Sequence, residues 1–170
     1  MRKYFLPIIF LLTIISCGKK REVIYDERDG GPYSNFAPAL YIENDSAFHT
    51  YRSLKNGKIV TMEKAASLQE LKDSTYCRIC YYHESGNIYS IDYFQKKKQV
   101  GESLSFYESG KKKSRASFSN GIQGNYETWY ESGRLMIKGE LLPDSTFRHR
   151  EYFESGLPKK EMTADKTGKG

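Results

Sequence analysis

The sequence predicts an all-β fold, an elongated antiparallel β-meander of stacked hairpin repeats of about 23 residues each. Aromatic residues precede a recurring tripeptide at matching positions, and further turn residues fall between its successive copies. Two turns in each period give two strands, so we expect each repeat to be one hairpin. The tripeptide is Glu-Ser-Gly, and its glycines lie 24, 23 and 23 residues apart, at Gly86, Gly110, Gly133 and Gly156.

The aromatic positions form two columns along the repeats. The residues directly before each Glu are His83, Tyr107, Tyr130 and Phe153. The residues one position earlier are Tyr82, Phe106, Trp129 and Tyr152. Because a lone hairpin is marginal in water, we expect the columns to stack and stabilise the sheet. A single-layer sheet cannot bury both faces, so the second column is either a stacking ladder alone or a ladder that also binds a partner.

We expect two-residue turns at the tripeptides, with Ser and Gly at the tip. In the third repeat this register places Glu131 opposite Arg134, and it also places Tyr130 opposite Leu135 and Trp129 opposite Met136. Polar turn residues predict the return turns at 95–98, 118–121 and 142–145.

The N-terminus has the pattern of a secretory signal peptide over residues 1–16. Arg2 and Lys3 precede an apolar run that is too short for a permanent membrane span, which needs about 20 residues. The run ends in Ile-Ile-Ser-Cys, which resembles the lipobox of bacterial lipoproteins and implies lipidation of Cys17. The alternative is an ordinary cleaved signal with a chance cysteine. Gly18 lacks the retention signal of inner-membrane lipoproteins, so the resemblance favours the outer membrane in a diderm organism and the outer face of the plasma membrane otherwise.

The rest of the chain divides by composition. Residues 17–45 alternate in charge around Gly-Gly-Pro, so we expect a lipidated flexible tether, within which 23–25 and 39–42 have the pattern of short pairing strands. Residues 46–75 have the pattern of a degenerate first repeat, with an Asn-Gly hairpin turn at Asn56 and Gly57 and a short helix or irregular insertion over 63–72. We expect repeats over 76–165 and a disordered tail over 166–170.

The charge argues against nucleic acid as a partner. The formal net charge is +6, and removal of residues 1–16 leaves 25 basic and 21 acidic residues, a net of +4. The basic residues are spread along the chain, whereas a nucleic-acid binder concentrates them on one face. The densest runs, 96–98 and 111–113, lie at turns, where they are either solvated or in contact with an acidic surface such as lipid headgroups.

No set of residues predicts catalysis, a metal or a cofactor. His49, His83 and His149 are scattered, and the tripeptide Glu recurs with the turns, whereas a catalytic carboxylate would be singular. Cys77 and Cys80 have the spacing of a disulfide or a zinc half-site. On a strand, however, they would lie on opposite faces about 10 Å apart, which favours free thiols. We therefore expect a protein that is not an enzyme.

The repeats resemble MORN-type repeats. The chain's repeats have the form Tyr-Tyr-Glu-Ser/Asn-Gly-Lys, with other aromatics at the first two positions, at about 23-residue intervals and with further glycines at Gly101 and Gly124. The chain is specifically similar to the bacterial MORN-variant family of YwqK-like antitoxins, many of them lipoproteins. The resemblance covers residues 76–162 and, more weakly, 48–60. It departs from the pattern at His83 and in the last repeat, where a repeat array needs an atypical cap.

We therefore expect a lipid-anchored envelope protein whose repeat sheet is a binding or scaffolding module. The expected partners are the membrane, through the lipid anchor at Cys17, and a protein or other envelope component. The resemblance implies an alternative, an antitoxin or immunity protein that neutralises one toxin. An envelope hydrolase would need a catalytic pair, which the sequence does not contain.

Overall fold

The structure, a computed structural model, describes residues 21–26, 36–82 and 84–164. In this part the chain forms one antiparallel sheet of twelve strands, whose order in the sheet is their order in the sequence. The predicted all-β meander is therefore confirmed. The strands are β1 (Arg21–Asp26), β2 (Phe36–Glu43), β3 (Ser46–Ser53), β4 (Ile59–Ala65), β5 (Tyr76–Tyr81), β6 (Ile88–Gln95), β7 (Lys98–Phe106), β8 (Lys112–Ser119), β9 (Ile122–Trp129), β10 (Leu135–Leu141), β11 (Phe147–Tyr152) and β12 (Pro158–Ala164).

The expected pairing of 23–25 with 39–42 is confirmed, since both stretches lie in strands of the sheet, and the expected flexible tether over residues 17–45 is therefore wrong for these stretches. β1 pairs with β2, with Arg21 opposite Glu43 and Val23 opposite Tyr41. β2 in turn pairs with β3 along its whole length. The β-branched and aromatic residues of these stretches fit a half-buried pleated surface, and this preference outweighs the charged flanks. The signal peptide, Cys17 and the tail at 166–170 lie outside the described residues.

Helix α1 (Leu68–Lys72) lies between β4 and β5. The Ser67 hydroxyl accepts a hydrogen bond from the Glu70 N–H at 3.1 Å, and the Glu70 carboxylate accepts one from the Ala66 N–H at 3.1 Å. This reciprocal capping fixes the first turn of the helix. The helix is shorter than the range expected from the sequence, since residues 63–65 continue β4.

The tripeptide turns have three-residue loops, not the expected two-residue tips. In the third repeat the Tyr130 N–H donates to the Arg134 carbonyl and the Gly133 N–H donates to the Tyr130 carbonyl, both at 2.8 Å. Gly133 has a φ of 88°, in the left-handed region where a side chain is strained. Glu131 therefore lies in the loop itself, and the expected pair of Glu131 with Arg134 is wrong.

The register next to the loop is shifted accordingly. Trp129 lies opposite Leu135, not opposite Met136 as expected, and Thr128 lies opposite Ile137. Met136 is thus the extra residue of a β-bulge, which bends the strand and increases its twist. The register shifts at the same place in all five hairpins, three residues after the turn glycine, at Val60, Tyr89, Lys113, Met136 and Lys159.

The first two hairpin loops contain one residue more than the later ones. The Tyr82 N–H donates to the Asn87 carbonyl at 2.8 Å, and the Gly86 N–H donates to the Tyr82 carbonyl at 2.9 Å. Four positions therefore separate the paired residues. The turn between Ser53 and Lys58 has the same hydrogen-bond pattern. The two-residue tips expected for these hairpins are therefore wrong as well.

The return turns confirm the prediction. Lys96 and Lys97, with φ angles of 49° and 68°, connect β6 to β7 at the predicted turn 95–98. The turn at 118–121 has the same two-residue form, and the turn at 142–145 has a three-residue loop. These turns lie at one end of the strands, which we call the return-turn edge. The tripeptide turns lie at the opposite end of the strands, which we call the glycine-turn edge.

The buried side chains of the described residues are concentrated near the N-terminal end of the sheet. From β5 to β12 no described side chain is fully buried, so neither face is covered there by a second layer. Such a sheet is stabilised by contacts between neighbouring hairpins, as in other repeat proteins. The buried side chains lie on β2, β3 and β4 and are Ala37, Ala39, Tyr41, Ala47, Thr50, Ser53, Val60 and Ala65.

Candidate binding surface

Each face of the sheet can be followed through directly paired residues, because cross-strand partners point to the same side. One such row crosses the sheet from β4 to β12 and defines what we call the front face. It is apolar as far as Leu104 and charged from Arg115 onward. The row is Met62, Ile79, Ile91, Leu104, Arg115, Glu127, Lys138, Arg150 and Glu161.

The structure places the four residues of the predicted binding face on two different faces of the sheet. Phe106, Trp129 and Tyr152 lie on the front face, each opposite the second residue after a turn glycine. Tyr82 instead occupies the next position along its strand, on the opposite or rear face. Tyr81 takes the equivalent front position, since it pairs with the second residue after Gly86.

The sequence alone does not predict Tyr81 on this face, because counting back from each turn glycine assumes that all the loops have the same length. The loop between β5 and β6 has an additional residue, which shifts the preceding aromatics by one position relative to Gly86. The signal in the sequence was His83, the one residue of its column that is not aromatic. His83 itself lies outside the described residues.

With Tyr81 in place of Tyr82, the aromatic column is part of a continuous strip on the front face. The strip has one residue from each strand of β5 to β12. Strands lie about 4.8 Å apart, so the eight positions extend over about 34 Å. The Lys112 ammonium lies 5.5 Å from the centre of the Trp129 ring, within the range of a cation–π contact. We call this set the aromatic strip: Tyr81, Ile88, Phe106, Lys112, Trp129, Leu135, Tyr152 and Pro158.

Three cations surround Glu140 on the front face. Its carboxylate accepts hydrogen bonds from Arg148 at 2.5 Å and from Arg150, and Lys138 lies 3.1 Å away. The hydrogen bonds from Arg148 and Lys138 lower the pKa of Glu140 to about 2. The carboxylate is therefore ionised throughout the neutral range, and it holds the three basic side chains in place.

Arg115 connects two further carboxylates on the same face. Its guanidinium lies 3.0 Å from Glu127 and 3.6 Å from Glu102. Exposed ion pairs contribute little to stability, about 0–1 kcal/mol each, so this pattern adds little to the stability of the sheet. The front face thus combines apolar contact area with an ordered set of charges.

Tyrosine hydroxyls connect successive repeats on the rear face. Each hydroxyl donates to a backbone carbonyl in the next hairpin, 22 to 24 residues further on. Phe153 occupies the last equivalent position and has no hydroxyl, as suits the end of the array. The tyrosine ladder consists of Tyr82 to Phe106 at 2.9 Å, Tyr107 to Trp129 at 2.7 Å and Tyr130 to Tyr152 at 2.9 Å.

A second set of hydrogen bonds joins the loops of the glycine-turn edge. In three of the hairpins the residue after the turn glycine donates through its side chain to the carbonyl of the tripeptide Glu in the next repeat. The tripeptide therefore supplies loop geometry and a stacking acceptor. These bonds run from Lys58 to Glu84, Asn87 to Glu108 at 2.8 Å and Arg134 to Glu154 at 2.7 Å.

The rear face also carries a chain of polar contacts on its C-terminal half. The Tyr126 hydroxyl lies 2.7 Å from Nδ1 of His149, and Nε2 of His149 lies 3.2 Å from Glu151. Burial raises the pKa of Tyr126, and the nearby charge of Glu151 raises it further. The phenol therefore remains protonated at neutral pH and can donate its proton to the imidazole nitrogen in a structural hydrogen bond.

A similar cluster lies on the N-terminal half of the rear face. Glu63 accepts a hydrogen bond from Arg78 at 2.7 Å and lies 3.2 Å from His49. Burial alone would raise the pKa of Glu63, but the hydrogen bonds with His49 and Arg78 outweigh it, and the pKa is lowered. The cluster joins β3, β4 and β5 across one face.

Cys77 and Cys80 are both free thiols, as predicted. Cys77 lies opposite Tyr93 on the front face and Cys80 lies opposite Ser90 on the rear face. Burial raises the pKa of Cys77. Its thiol is consequently less reactive than an exposed one.

No three His, Cys, Asp or Glu side chains in the described ranges are grouped closely enough to hold a metal ion. None of the helical structure in this part of the chain is long and apolar enough to cross a membrane.

Together these features define a single-layer β-repeat protein whose exposed faces suit it to binding or scaffolding. The MORN repeat variant family matches residues 99–120, which correspond to the hairpin β7–β8 with part of its return turn. The chain therefore contains a MORN-type repeat, and the hydrogen-bonded loop of that hairpin recurs in β9–β10 and β11–β12. No curated protein matches the chain.

Proposed function

We propose that this protein is a lipid-anchored binding module of the cell envelope, which presents the aromatic strip to a protein partner. The aromatic strip is the observation that supports the proposal most. Its aromatic residues recur every second strand on a face that no other described element covers. Aromatic side chains dominate binding hot spots, and a regular row of them provides a long, continuous contact area.

The charges on the same face as the strip support a specific partner over a general apolar one. Arg115 and Glu140 each contact side chains of opposite charge, so the pattern of charge on this face is ordered. A partner must match that pattern while it covers the aromatic residues. The antitoxin alternative would make this partner a single toxin, and it rests on the sequence resemblance alone.

Crosslinking of the membrane-anchored protein, followed by mass spectrometry, identifies the partner. The substitution Trp129→Ala combined with Tyr152→Ala should reduce capture of that partner strongly, while circular dichroism shows an intact sheet. A matched control removes two exposed apolar side chains from the rear face, with Leu141→Ala and Met162→Ala. Capture that survives the front-face change, or that is lost equally in the control, contradicts the proposal.

The anchor is tested separately. Intact mass should show acyl chains on a mature chain that begins at Cys17, and Cys17→Ser should move the protein from the membrane fraction to the soluble fraction. A mature chain without acyl mass overturns the anchor and leaves the binding surface to be judged on the capture experiment.

A further inference from the structure

We infer that copies of this protein join head to tail, with β12 of one copy pairing with β1 of the next, so that the sheet continues from copy to copy. The partner at this junction is a second copy of the same chain. The inference does not depend on the proposed function, because it concerns the two outer strands of the sheet and not the aromatic strip or the anchor.

The two outer strands have the directions that such a junction needs. β1 and β12 are the first and last strands of the sheet, so each has a neighbouring strand on one side only within the described residues. The outer side of such a strand is a template for pairing with another strand. Because the twelve strands alternate in direction, β1 of a second copy in the same orientation runs antiparallel to β12. A second copy therefore continues the meander without being turned over.

The faces of β1 follow from its pairing with β2. Ala39 of β2 lies on the front face, since it continues the front-face row beyond β4 and β3. Tyr41 is two residues further along β2, and it lies opposite Val23. Val23 and Arg21 are therefore on the front face, and Glu22 between them is on the rear face.

The charges of the two outer strands match in one register. Glu161 belongs to the front-face row, and Lys160 next to it is on the rear face. When Glu161 lies opposite Arg21 of the second copy, Lys160 lies opposite Glu22 of that copy. Both pairs then join opposite charges on the same face, and all four residues are exposed in the single chain. Opposite charges directly across a strand pair are favourable, whereas like charges are unfavourable.

Each charge of β12 then lies between two charges of opposite sign. Within one copy Arg150 lies opposite Glu161, and Glu151 lies opposite Lys160. The second copy adds an opposite charge on the outer side of both β12 residues. The charge pattern of the sheet thus continues across the junction, and it favours this pairing over pairing with an unrelated strand.

Arg21 already makes one contact within its own chain. Its guanidinium carbon lies 3.7 Å from the centre of the Tyr41 ring, within the range of a cation–π contact. That contact uses the flat face of the guanidinium. The N–H groups on its rim point in the plane and can still donate to a carboxylate of the neighbouring copy.

Apolar residues extend the junction toward the glycine-turn edge. Leu157 is 65 % exposed, and Pro158 next to it is exposed as well. In the same register they come alongside Val23 and Ile24 of the second copy, which are 51 % and 43 % exposed. Three earlier hairpins have a polar side chain at the position of Leu157, which binds the next hairpin. Leu157 has no such donor and suits an apolar neighbour.

Other pairings lose these matches. A shift by one residue puts the paired side chains on opposite faces. A shift by two residues puts Glu161 opposite Val23 and Met162 opposite Glu22, so neither glutamate has a basic residue across from it. A two-fold pairing of β12 with itself brings like charges together when it is centred on Lys160 or Glu161, and it forms no ion pair when it is centred on Met162.

Disulfide cross-linking between two tagged copies of the full-length protein tests the junction. Both copies carry Cys77→Ser and Cys80→Ser. The first copy also carries Glu161→Cys, the second carries Arg21→Cys, and their epitope tags differ. Directly opposite residues of an antiparallel pair have Cα atoms about 4.5–5.5 Å apart, which a disulfide can bridge. In cells that express both copies, oxidation should join the two tags in one species, and copies without the added cysteines should stay separate.

Lys160 and Glu22 are unchanged in these copies, so they test the charge pairing. Lys160→Glu in the first copy, or Glu22→Lys in the second, puts like charges opposite and should lower the cross-linked fraction about fivefold. The two changes together make a new opposite pair and should restore most of the cross-linking. Lys111→Glu in the first copy is the matched control, since it reverses an exposed lysine of another hairpin and should leave the cross-linking unaltered.

A single chain that carries both added cysteines tests the form of the assembly. A head-to-tail contact leaves an outer strand available at each end, so oxidation should give trimers and larger species as well as dimers. In sedimentation, the unaltered protein should likewise form a concentration-dependent series beyond the dimer.

The remaining outcomes overturn the inference. Absence of the mixed species, in copies that circular dichroism shows to be folded, contradicts the junction, as does a monomer at every concentration in sedimentation. Cross-linking between two Glu161→Cys copies that equals or exceeds the mixed species, or a product that stops at the dimer, indicates a two-fold pair instead. Cross-linking that ignores the charge reversals contradicts the register.

Discussion

The Tyr107 hydroxyl donates a hydrogen bond to the backbone carbonyl of Trp129 at 2.7 Å, across 22 residues of sequence. This bond links the loop of one hairpin to the strand end of the next, and it also fixes the backbone from which the Trp129 side chain projects. The rear-face ladder thus positions the front-face aromatic strip. The stability of the sheet and the geometry of the aromatic strip depend on the same residues.

Removing this hydroxyl should destabilise the sheet. We expect Tyr107→Phe to lower the free energy of unfolding by about 0.5–1.5 kcal/mol, the usual net contribution of one hydrogen bond. Urea unfolding followed by circular dichroism measures the change. The control is Tyr89→Phe, an exposed tyrosine on the same face, which should change stability by about 0.5 kcal/mol or less. Equal effects in the two variants would contradict a specific role for the ladder.

Gly139 is required by the ring that lies over it. A Cβ built on Gly139 would be 2.2 Å from Cε1 of Tyr126, so Gly139→Ala must displace the ring and break its contact with His149. We expect a loss of about 1–3 kcal/mol, the usual cost of overpacking, measured by urea unfolding.

A double-mutant cycle gives the control for Gly139. In a Tyr126→Ala background the same Gly139→Ala change meets no ring and should cost much less. If Gly139→Ala is equally harmful in both backgrounds, the cause lies in the backbone and not in the ring.

The fold could be predicted from the sequence because period and turn chemistry recur in every repeat. The return turns, the strand order and the free thiols all follow from such local rules. Two features could not be predicted in this way. The additional loop residue before Gly86 exchanges Tyr82 for Tyr81 on the front face, and a one-residue change always exchanges the faces of a strand.

The second feature is the tyrosine ladder, because the bond from Tyr130 to the Tyr152 carbonyl becomes visible only when hairpins are placed side by side. The start of the folded part, in contrast, was predicted in part. The expected pairing of 23–25 with 39–42 is confirmed, and β1 is an edge strand that pairs with β2 alone.

The corrected loop geometry makes a prediction about the tripeptide. Gly133 has a φ of 88° and Glu131 lies in the exposed loop. We expect Gly133→Ala to cost about 1–2 kcal/mol, because a side chain in the left-handed region is strained. Glu131→Gln should change stability by about 0.5 kcal/mol or less, since no cross-strand ion pair with Arg134 is lost. Thermal unfolding compares the two variants. A large effect of Glu131→Gln would contradict the three-residue loop and support a two-residue turn in which Glu131 pairs with Arg134.

The Glu140 cluster predicts how stability depends on acid. The pKa of this carboxyl is lowered to about 2 by hydrogen bonds from Arg148 and Lys138, whereas an unfolded glutamate titrates near its ordinary pKa of about 4.3. A lowered pKa in the folded state means that the stabilisation is fully present above the unfolded value and is lost as the pH falls toward 2. Between about pH 4.5 and 2 the unfolding midpoint in urea should therefore fall less steeply in Glu140→Gln than in the unaltered protein.

The variant should also be less stable at pH 7, because the three surrounding cations lose their shared carboxylate. The two stability curves should accordingly converge as the pH is lowered. Glu154→Gln is the matched control, since it removes an exposed carboxylate from a turn loop. Below about pH 4.5 its unfolding midpoint in urea should fall with pH nearly in parallel with that of the unaltered protein. Curves that stay parallel for Glu140→Gln would show that the cations around Glu140 do not stabilise the folded state through its charge.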